Sequence, residues 1–299
     1  YEKDLIKKHE YTRKDKEDDR TRHVTEQNAN AEPVFLTYRA VPYIDHVVDT
    51  VRKDAPDYDI VTPDGIGHTV WTVRDEVMIG ELVAFFNGVP ALYIADGHHR
   101  TAAAIRYGQA RRAATPNATG DEPFESFMAV VFPHNQLKIM DYNRVVKDLN
   151  GLSPEQFLAK VGEKFDIAPA AQPQPEKAAS FGMFFQGKWH RLTAKAGSFP
   201  ATDPVKSLDV SILQDNLLNP ILGIQDPRTD KRIDFVGGIR GTQELEKRVN
   251  EGYAVAFAMF PTSLDQLMAV SDAGQIMPPK STWFEPKLRS GLLVRVYEG

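Results

Sequence analysis

The sequence predicts an α/β (α+β) fold. Short apolar runs of strand length alternate with segments whose apolar residues recur at helical spacing. The composition is that of a globular chain, with 42% hydrophobic and 26% charged residues among 299. That length supports a substantial core in one large domain or two compact ones.

Residues 1–28 are very polar, and acids interleave with Lys7, Lys8, Lys14, Arg20 and Arg22. Interleaved charge points to a strand or ordered tail leading into a solvated helix, rather than to a binding arm. Residues 33–38 read as a buried strand. Ile44, Val47, Val48 and Val51 then mark an amphipathic helix. Residues 58–61 and 68–73 flank Pro63-Asp64-Gly65, which is hairpin-turn chemistry. Asp75 is placed to cap a helix carrying Met78, Leu82, Phe85 and Phe86, with Gly88 past its end. Residues 90–95 form an apolar run, followed by an Ala-rich helix expected to stop at Gly108. Residues 127–132 and 137–140 are expected to pair as strands around Pro133. A helix over 154–165 follows a Ser153 cap, and the Pro- and Ala-rich stretch 168–177 is a surface connection. Two strands are expected within 181–192, then a helix over 205–218, a strand over 233–238 and a helix over 242–249. A strand over 253–260, a helix over 263–273 and a closing strand over 292–297 complete the chain. The expected division is 1–145 and 146–299.

Composition excludes several classes. Lys plus Arg is 36 and Asp plus Glu is 41, a net charge of -5. This argues against a general nucleic-acid coat or an anionic membrane surface, so neither nucleic acid nor membrane is expected as a partner. The chain has no cysteine, which removes disulfides, thiolate nucleophiles and Cys-based zinc sites. No apolar run approaches the ~18 residues of a transmembrane helix, and a cytoplasmic location is expected. The chain begins at Tyr1 and enters a charged pattern at once, so an N-terminal portion is expected to be missing.

Most of the chemistry lies in Asp96-Gly97-His98-His99-Arg100-Thr101, where an apolar strand gives way to a helix. The first N–H groups of a helix lack intrahelical partners, and the helix dipole adds partial positive charge there. Arg100 adds a charged fork, His98 and His99 add donors and Thr101 a hydroxyl, while Gly97 permits close approach. Together they suit nucleotide phosphates. Asp96 fits a magnesium contact, a general base, or an acceptor that orients a histidine. The bland alternative makes Asp96 an N-cap and Arg100 a surface ion pair; two histidines plus Arg at one junction favour the functional reading. Metal ligation by Asp96, His98 and His99 ranks lower, because adjacent histidines diverge along a chain. Pro278-Pro279-Lys280-Ser281-Thr282 offers charge and hydroxyls held on extended backbone, with an ordinary buried segment as the equal alternative. Arg144 is read either as an ion-pair residue or as a clamp for a substrate carboxylate.

These motifs, with Asp64-Gly65-Ile66, His68, Trp71, Leu208-Asp209-Val210, Phe284, Pro286-Lys287 and Gly291, resemble the bacterial family catalogued as domain of unknown function 1015. The resemblance spans essentially the whole chain. The Asp-Gly-His-His-Arg element also resembles that of free-serine kinases of the ParB/sulfiredoxin superfamily. That second resemblance is local. It implies a ParB/sulfiredoxin-like mixed-sheet core with an additional C-terminal α/β region. It also implies a kinase that phosphorylates the hydroxyl of free L-serine from ATP or ADP with Mg²⁺. Carried over, Gly97, His98, His99, Arg100 and Thr101 bind phosphates, and Asp96 lies near the metal or the hydroxyl. Lys280, Ser281, Thr282 and Arg144 are the candidates for holding substrate. Such kinases take a Glu from an earlier segment as base; no such residue is assigned here, and it is expected in the missing front. Thr101 departs from the family pattern, which often has tyrosine there. Two alternatives remain: a nucleotide-binding switch without turnover, and a metal-dependent hydrolase using Asp96, His98 and His99.

Overall fold

The computed structural model describes residues 1–297. It is a mixed α/β structure built around two sheets. The first sheet has the order β1 (Ile6–Lys7), β6 (Leu92–Asp96), β3 (Val34–Tyr38), β7 (Ala129–Pro133). β1 and β6 run parallel, as do β3 and β7, while β3 and β6 are antiparallel. The second sheet is antiparallel throughout. Its order is β10 (Phe165–Pro169), β12 (Lys188–Ala194), β11 (Ser180–Phe185), β14 (Val255–Ala258), β9 (Tyr142–Val146), β13 (Ile233–Gly237). The boundary expected at residue 145 falls inside β9.

The two-residue period of a strand sorts the core. Val146, Met183, Phe185 and Phe257 face one side of the larger sheet, where helix α5 (Pro154–Lys164) contributes Phe157 and Val161. Val145, Phe184, Ala256 and Ala258 face the other side with Leu245 of α7 (Thr242–Asn250). Phe35, Tyr93 and Ala95 of the smaller sheet join the first of these clusters, whereas Val34, Leu36 and Ile94 pack on their own far side. One apolar core therefore runs from the larger sheet onto one face of the smaller. β3, β11 and β14 are buried along their whole length and read as nearly continuous apolar runs, whereas β10 at the sheet edge and the adjoining β12 keep polar residues on an open face.

Helix α1 (Lys14–Gln27) packs on α4 (His98–Ala114). Helix α3 (Glu76–Asn87) starts at Asp75, whose side chain accepts from the Val77 and Met78 N–H groups. α5 and α8 (Leu264–Asp272) each begin with a capping box, Ser153 with Gln156 and Ser263 with Gln266. Between them α6 (Asp209–Leu213) continues into a π-helical turn, Gln214–Leu218, a shorter element than the helix expected over 205–218. Strands β4 (Tyr58–Val61) and β5 (Gly67–Val70) form the expected hairpin, and α2 (Pro42–Val51) the expected helix. No helix among the described residues is long and apolar enough to cross a membrane.

Three further expectations change. Gly108 does not end α4, which continues to Ala114; its role is close approach of the Phe124 loop, since a Cβ there would sit 2.8 Å from the Phe124 carbonyl oxygen. The stretches 127–132 and 137–140 do not pair with each other. β7 joins β3, and β8 (Lys138–Met140) pairs with the distant β15 (Trp283–Glu285). The closing strand shrinks to β16 (Arg295–Val296), which pairs with β2 (Ala29–Asn30).

The β8–β15 pairing lays residues 277–287 beside the end of β6. Phe284 is buried against Phe35, and Trp283 packs edge-on against Tyr142, 5.4 Å between ring centres. Gly237 makes room for this, since a Cβ there would lie 2.4 Å from the Trp283 ring. We predict that Gly237→Ala costs about 1–3 kcal/mol by overpacking, read as a lower urea midpoint. Gly162→Ala in α5, where an added methyl meets nothing within 4 Å, is expected to be neutral or stabilising by up to about 1 kcal/mol. Equal midpoints for the two variants would contradict the packing account.

Candidate functional site

Strand β6 ends at Asp96 and helix α4 begins at His98, so the chain turns through a single residue. Gly97 has φ 91° and ψ 32°, the left-handed region that an L side chain enters only at a cost. A Cβ there would also stand 3.1 Å from Arg100 Nε. No side chain caps α4. The Thr101 N–H makes the first helical bond, to the Gly97 carbonyl at 2.9 Å. The N–H groups of His98, His99 and Arg100 come before it, at the positive end of a 17-residue helix.

Arg100 folds back over the turn. Its guanidinium donates to the Pro33 carbonyl at 3.0 Å and stands 3.6 Å from Glu32 and 4.0 Å from Asp96. The side chain keeps about a quarter of its surface open (26%), so its remaining N–H groups can meet an anion.

The two histidines diverge. His98 is buried in a T-shaped contact with His9, its Nε2 facing the His9 N–H and its Nδ1 3.9 Å from Glu10. Burial pushes the His98 imidazole down to about 4 and the His9 imidazole well below its usual range. At neutral pH His98 is therefore an uncharged group, not the cation a phosphate site would favour. His99 Nε2 accepts from the Arg13 N–H at 3.1 Å. Among the described residues no group of three His, Cys, Asp or Glu side chains could hold a metal.

Asp96 accepts from the Gly97 N–H at 2.7 Å through Oδ1 and pairs with Lys287 at 3.0 Å through Oδ2. Burial opposes its ionisation, but Lys287, Arg100 and that N–H outweigh burial and hold the carboxyl below its usual range. Glu10 stands on the other side of the same cavity. Its side chain keeps 57% of its surface open; partial desolvation at the cavity pushes its carboxyl up and Asp96 adds to the rise, while His99 and Lys280 moderate it. Two neighbouring carboxyl groups thus have their ionisation driven in opposite directions.

The cavity between them holds about 250 Å³ and is lined by His9, Glu10, Asp96, His98, Tyr142 and residues 277–284 with Lys287. A second of similar volume adjoins it along Glu10, Asp96 and residues 97–100, and reaches Arg20. Lys280, at φ 57°, extends its ammonium over the Tyr142 ring, and Thr282 lines the first cavity.

Three expected contacts are turned elsewhere. The buried Thr101 hydroxyl donates to the Gly97 carbonyl at 3.1 Å, tying the first helical turn. The Ser281 hydroxyl donates to the Pro278 carbonyl at 2.6 Å and braces its own loop. Arg144 is buried, and its guanidinium donates to the carbonyls of Tyr142 and Lys280 and lies over the Phe235 ring. Burial lowers it to about 10. It is a strut between β9 and the 280s segment rather than a clamp at the cavity wall.

Glu10 and His9 are the residues sequence reasoning missed. Their signal is slight: a two-residue strand, Ile6–Lys7, runs parallel to β6 and delivers them beside Asp96. Only the pairing with β6 distinguishes that strand from the polar tail around it.

Fold and site together define a mixed α/β protein with an uncapped strand–turn–helix junction flanked by two carboxyl groups. The chain belongs to the family described as protein of unknown function (DUF1015), whose profile matches residues 1–211. No curated protein matches it by sequence. Solved structures similar to it include a free serine kinase in complex with AMP. That one is 11% identical, with 94% of this chain and 84% of the other covered and a TM-score of 0.43. SbnI with a C-terminal truncation, from Staphylococcus aureus, is 12% identical over 98% and 85%, at 0.49. A conserved hypothetical protein from Pyrococcus furiosus is 12% identical over 96% and 90%, at 0.41. Likeness of this degree assigns no activity.

The buried histidines predict a pH effect on stability. Burial lowers folded His98 from the ordinary 6.5 to about 4, so the unfolded chain binds more protons between these values. Stability is therefore lost as pH falls through that window. His98→Asn removes this contribution, so its urea midpoint is expected to drop less than wild type between pH 7 and pH 5. A wild-type drop no larger than that of the variant would contradict a neutral, buried His98.

Proposed function

We propose that the chain is a nucleotide-dependent phosphotransferase that acts on the hydroxyl of a small molecule, with free L-serine as the first candidate. The observation that carries the reading is the pair Glu10 and Asp96 beside the uncapped N-terminus of α4. Phosphoryl transfer asks a protein chiefly for positioning and for cationic and N–H groups around the phosphates. The N–H groups of residues 98–100 and the open part of Arg100 supply these on one side, and Lys287 and Lys280 on the other. The choice of serine rests on the resemblance of the Asp-Gly-His-His-Arg element.

Opposed ionisation assigns the two carboxyl groups different work. Glu10, raised by partial desolvation at the cavity, takes the proton from the acceptor hydroxyl. The hydroxyl oxygen bonds to the terminal phosphorus of the nucleotide as the bridging P–O bond breaks, and the leaving nucleotide keeps that electron pair. Arg100 and the helix N–H groups hold the phosphate oxygens through the transfer. Asp96 stays ionised. A magnesium ion carried on the phosphates needs only one or two carboxylates from the protein. Asp96 fits this role by exchanging its bond to Lys287 for the ion, which would neutralise developing charge on the phosphates. His98, neutral and packed edge-on against His9, forms part of the cavity wall beside Glu10.

Incubation with L-serine, Mg²⁺ and either ATP or ADP is predicted to yield phosphoserine by mass spectrometry. Glu10→Gln is expected to reduce the rate by about 10²–10⁴-fold, the usual worth of a general base, while nucleotide still binds. Arg100→Ala is expected to weaken nucleotide binding itself. Wild-type activity should fall as pH drops through the raised Glu10 range, because the base is then protonated. Phosphoserine formation undiminished in Glu10→Gln would overturn this assignment. Nucleotide binding with no product from either donor would remove serine as the acceptor.

A further inference from the structure

A larger cavity of about 640 Å³ lies beside the phosphate site, beneath the β4–β5 hairpin. Its lining is chiefly apolar: Ile66 on the hairpin, Met128 and Val130 on the opposite side, and Leu288, Leu292 and Leu293 from the C-terminal segment. Two of its lining residues connect it to the site already described. Lys287 lines both this cavity and the one holding Glu10 and Asp96. Pro33 lines it too, and its carbonyl receives the Arg100 guanidinium. A ligand with phosphates on the α4 N-terminus therefore has this cavity next to it, on the side of Arg100 and Lys287.

One polar atom in the lining is unaccounted for. His68 Nε2 is buried and has no hydrogen-bond partner among the described residues. A buried polar atom left unpaired costs free energy, and a turn of the His68 ring toward the cavity lets a ligand atom complete the bond. Ile66 at the end of the turn and His68 on β5 both line the cavity. The hairpin supplies no residue to any core cluster, and an isolated two-stranded hairpin is marginal in water. It is pinned instead by Arg289, which bonds Asp64 at its turn. The Asp64-Gly65-Ile66 turn and the Lys287–Arg289 stretch thus meet as roof and wall of one cavity.

We propose that this cavity binds the base of the nucleotide whose phosphates rest on the α4 N-terminus, with His68 Nε2 as the contact to the edge of the base. The proposal rests on the phosphotransferase reading and adds to it where the nucleoside part lies. A nucleobase matches the chemistry: its faces are apolar, as the leucine, methionine and valine lining requires, and its rim carries donors and acceptors. The volume is within the common range of ligand pockets, about 300–1,000 Å³.

The test is calorimetric titration of the whole chain with ADP and, separately, with pyrophosphate, which shares the phosphates but has no base. Wild type is expected to bind ADP at least tenfold more tightly than pyrophosphate. His68→Leu removes the edge contact, and Leu292→Trp fills the cavity. Each is expected to weaken ADP by about tenfold, the scale of one buried hydrogen bond, and pyrophosphate by less than twofold. Melting temperatures should stay at the wild-type value, since His68 and Leu292 lie outside the core clusters. Equal wild-type affinities for the two ligands would overturn the base site while leaving the phosphate site standing. So would variants that weaken both ligands alike, or neither. Failure of wild type to bind either ligand would overturn both readings.

Discussion

Everything in the site depends on a strand becoming a helix across Gly97 alone. Because β6 stops at Asp96 and α4 starts at His98, the carboxylate that ends the strand and the N–H groups that open the helix face the same small volume. A longer connection would let a side chain cap the helix, and its positive end would then be satisfied within the chain. The left-handed conformation at Gly97 and the absence of a Cβ also let Arg100 fold back over the turn. The same constraint therefore sets the backbone donors, the cation and the anion.

The turn needs support from elsewhere, and it comes from both ends of the sequence. β1 adds to the edge of β6 and places His9 and Glu10 against His98. The 280s segment comes from the other direction, held by β15 on β8, by Phe284 in the shared core and by Arg144 beneath it. Lys287 completes the arrangement by pairing with Asp96. That pair is half-exposed, so its direct contribution to stability is small. Its larger effect is local, because it keeps Asp96 ionised while the neighbouring Glu10 is pushed the other way. The fold brings these residues together by burying Phe35, Tyr93 and Phe284 in one cluster, and the site sits where that cluster meets solvent.

Much of this was legible in the sequence because local chemistry determines it. The helix starts at Asp75, Ser153 and Ser263 are short-range capping patterns. The junction at Gly97 declares itself through an apolar run ending in Asp-Gly. What was not legible depends on distant pairing. β8 finds β15 across more than 140 residues, so its partner could not be read from the turn beside it. Glu10 enters the site through a strand of two residues with no periodic signal of its own. Arg144 and Thr101 carry side chains suited to ligand binding, yet burial turns both toward backbone carbonyls. Exposure decides between those roles, and residue type does not.

The central claim is that Glu10 and Asp96 share a site and ionise in opposite senses. Carbon-13 NMR of the two carboxyl groups across a pH titration measures this directly. Glu10 is expected to titrate above the ordinary glutamate range and Asp96 below the ordinary aspartate range. In Lys287→Met, Asp96 should move upward. Two unperturbed titrations, an inverted order, or an Asp96 indifferent to the loss of Lys287 would contradict the account.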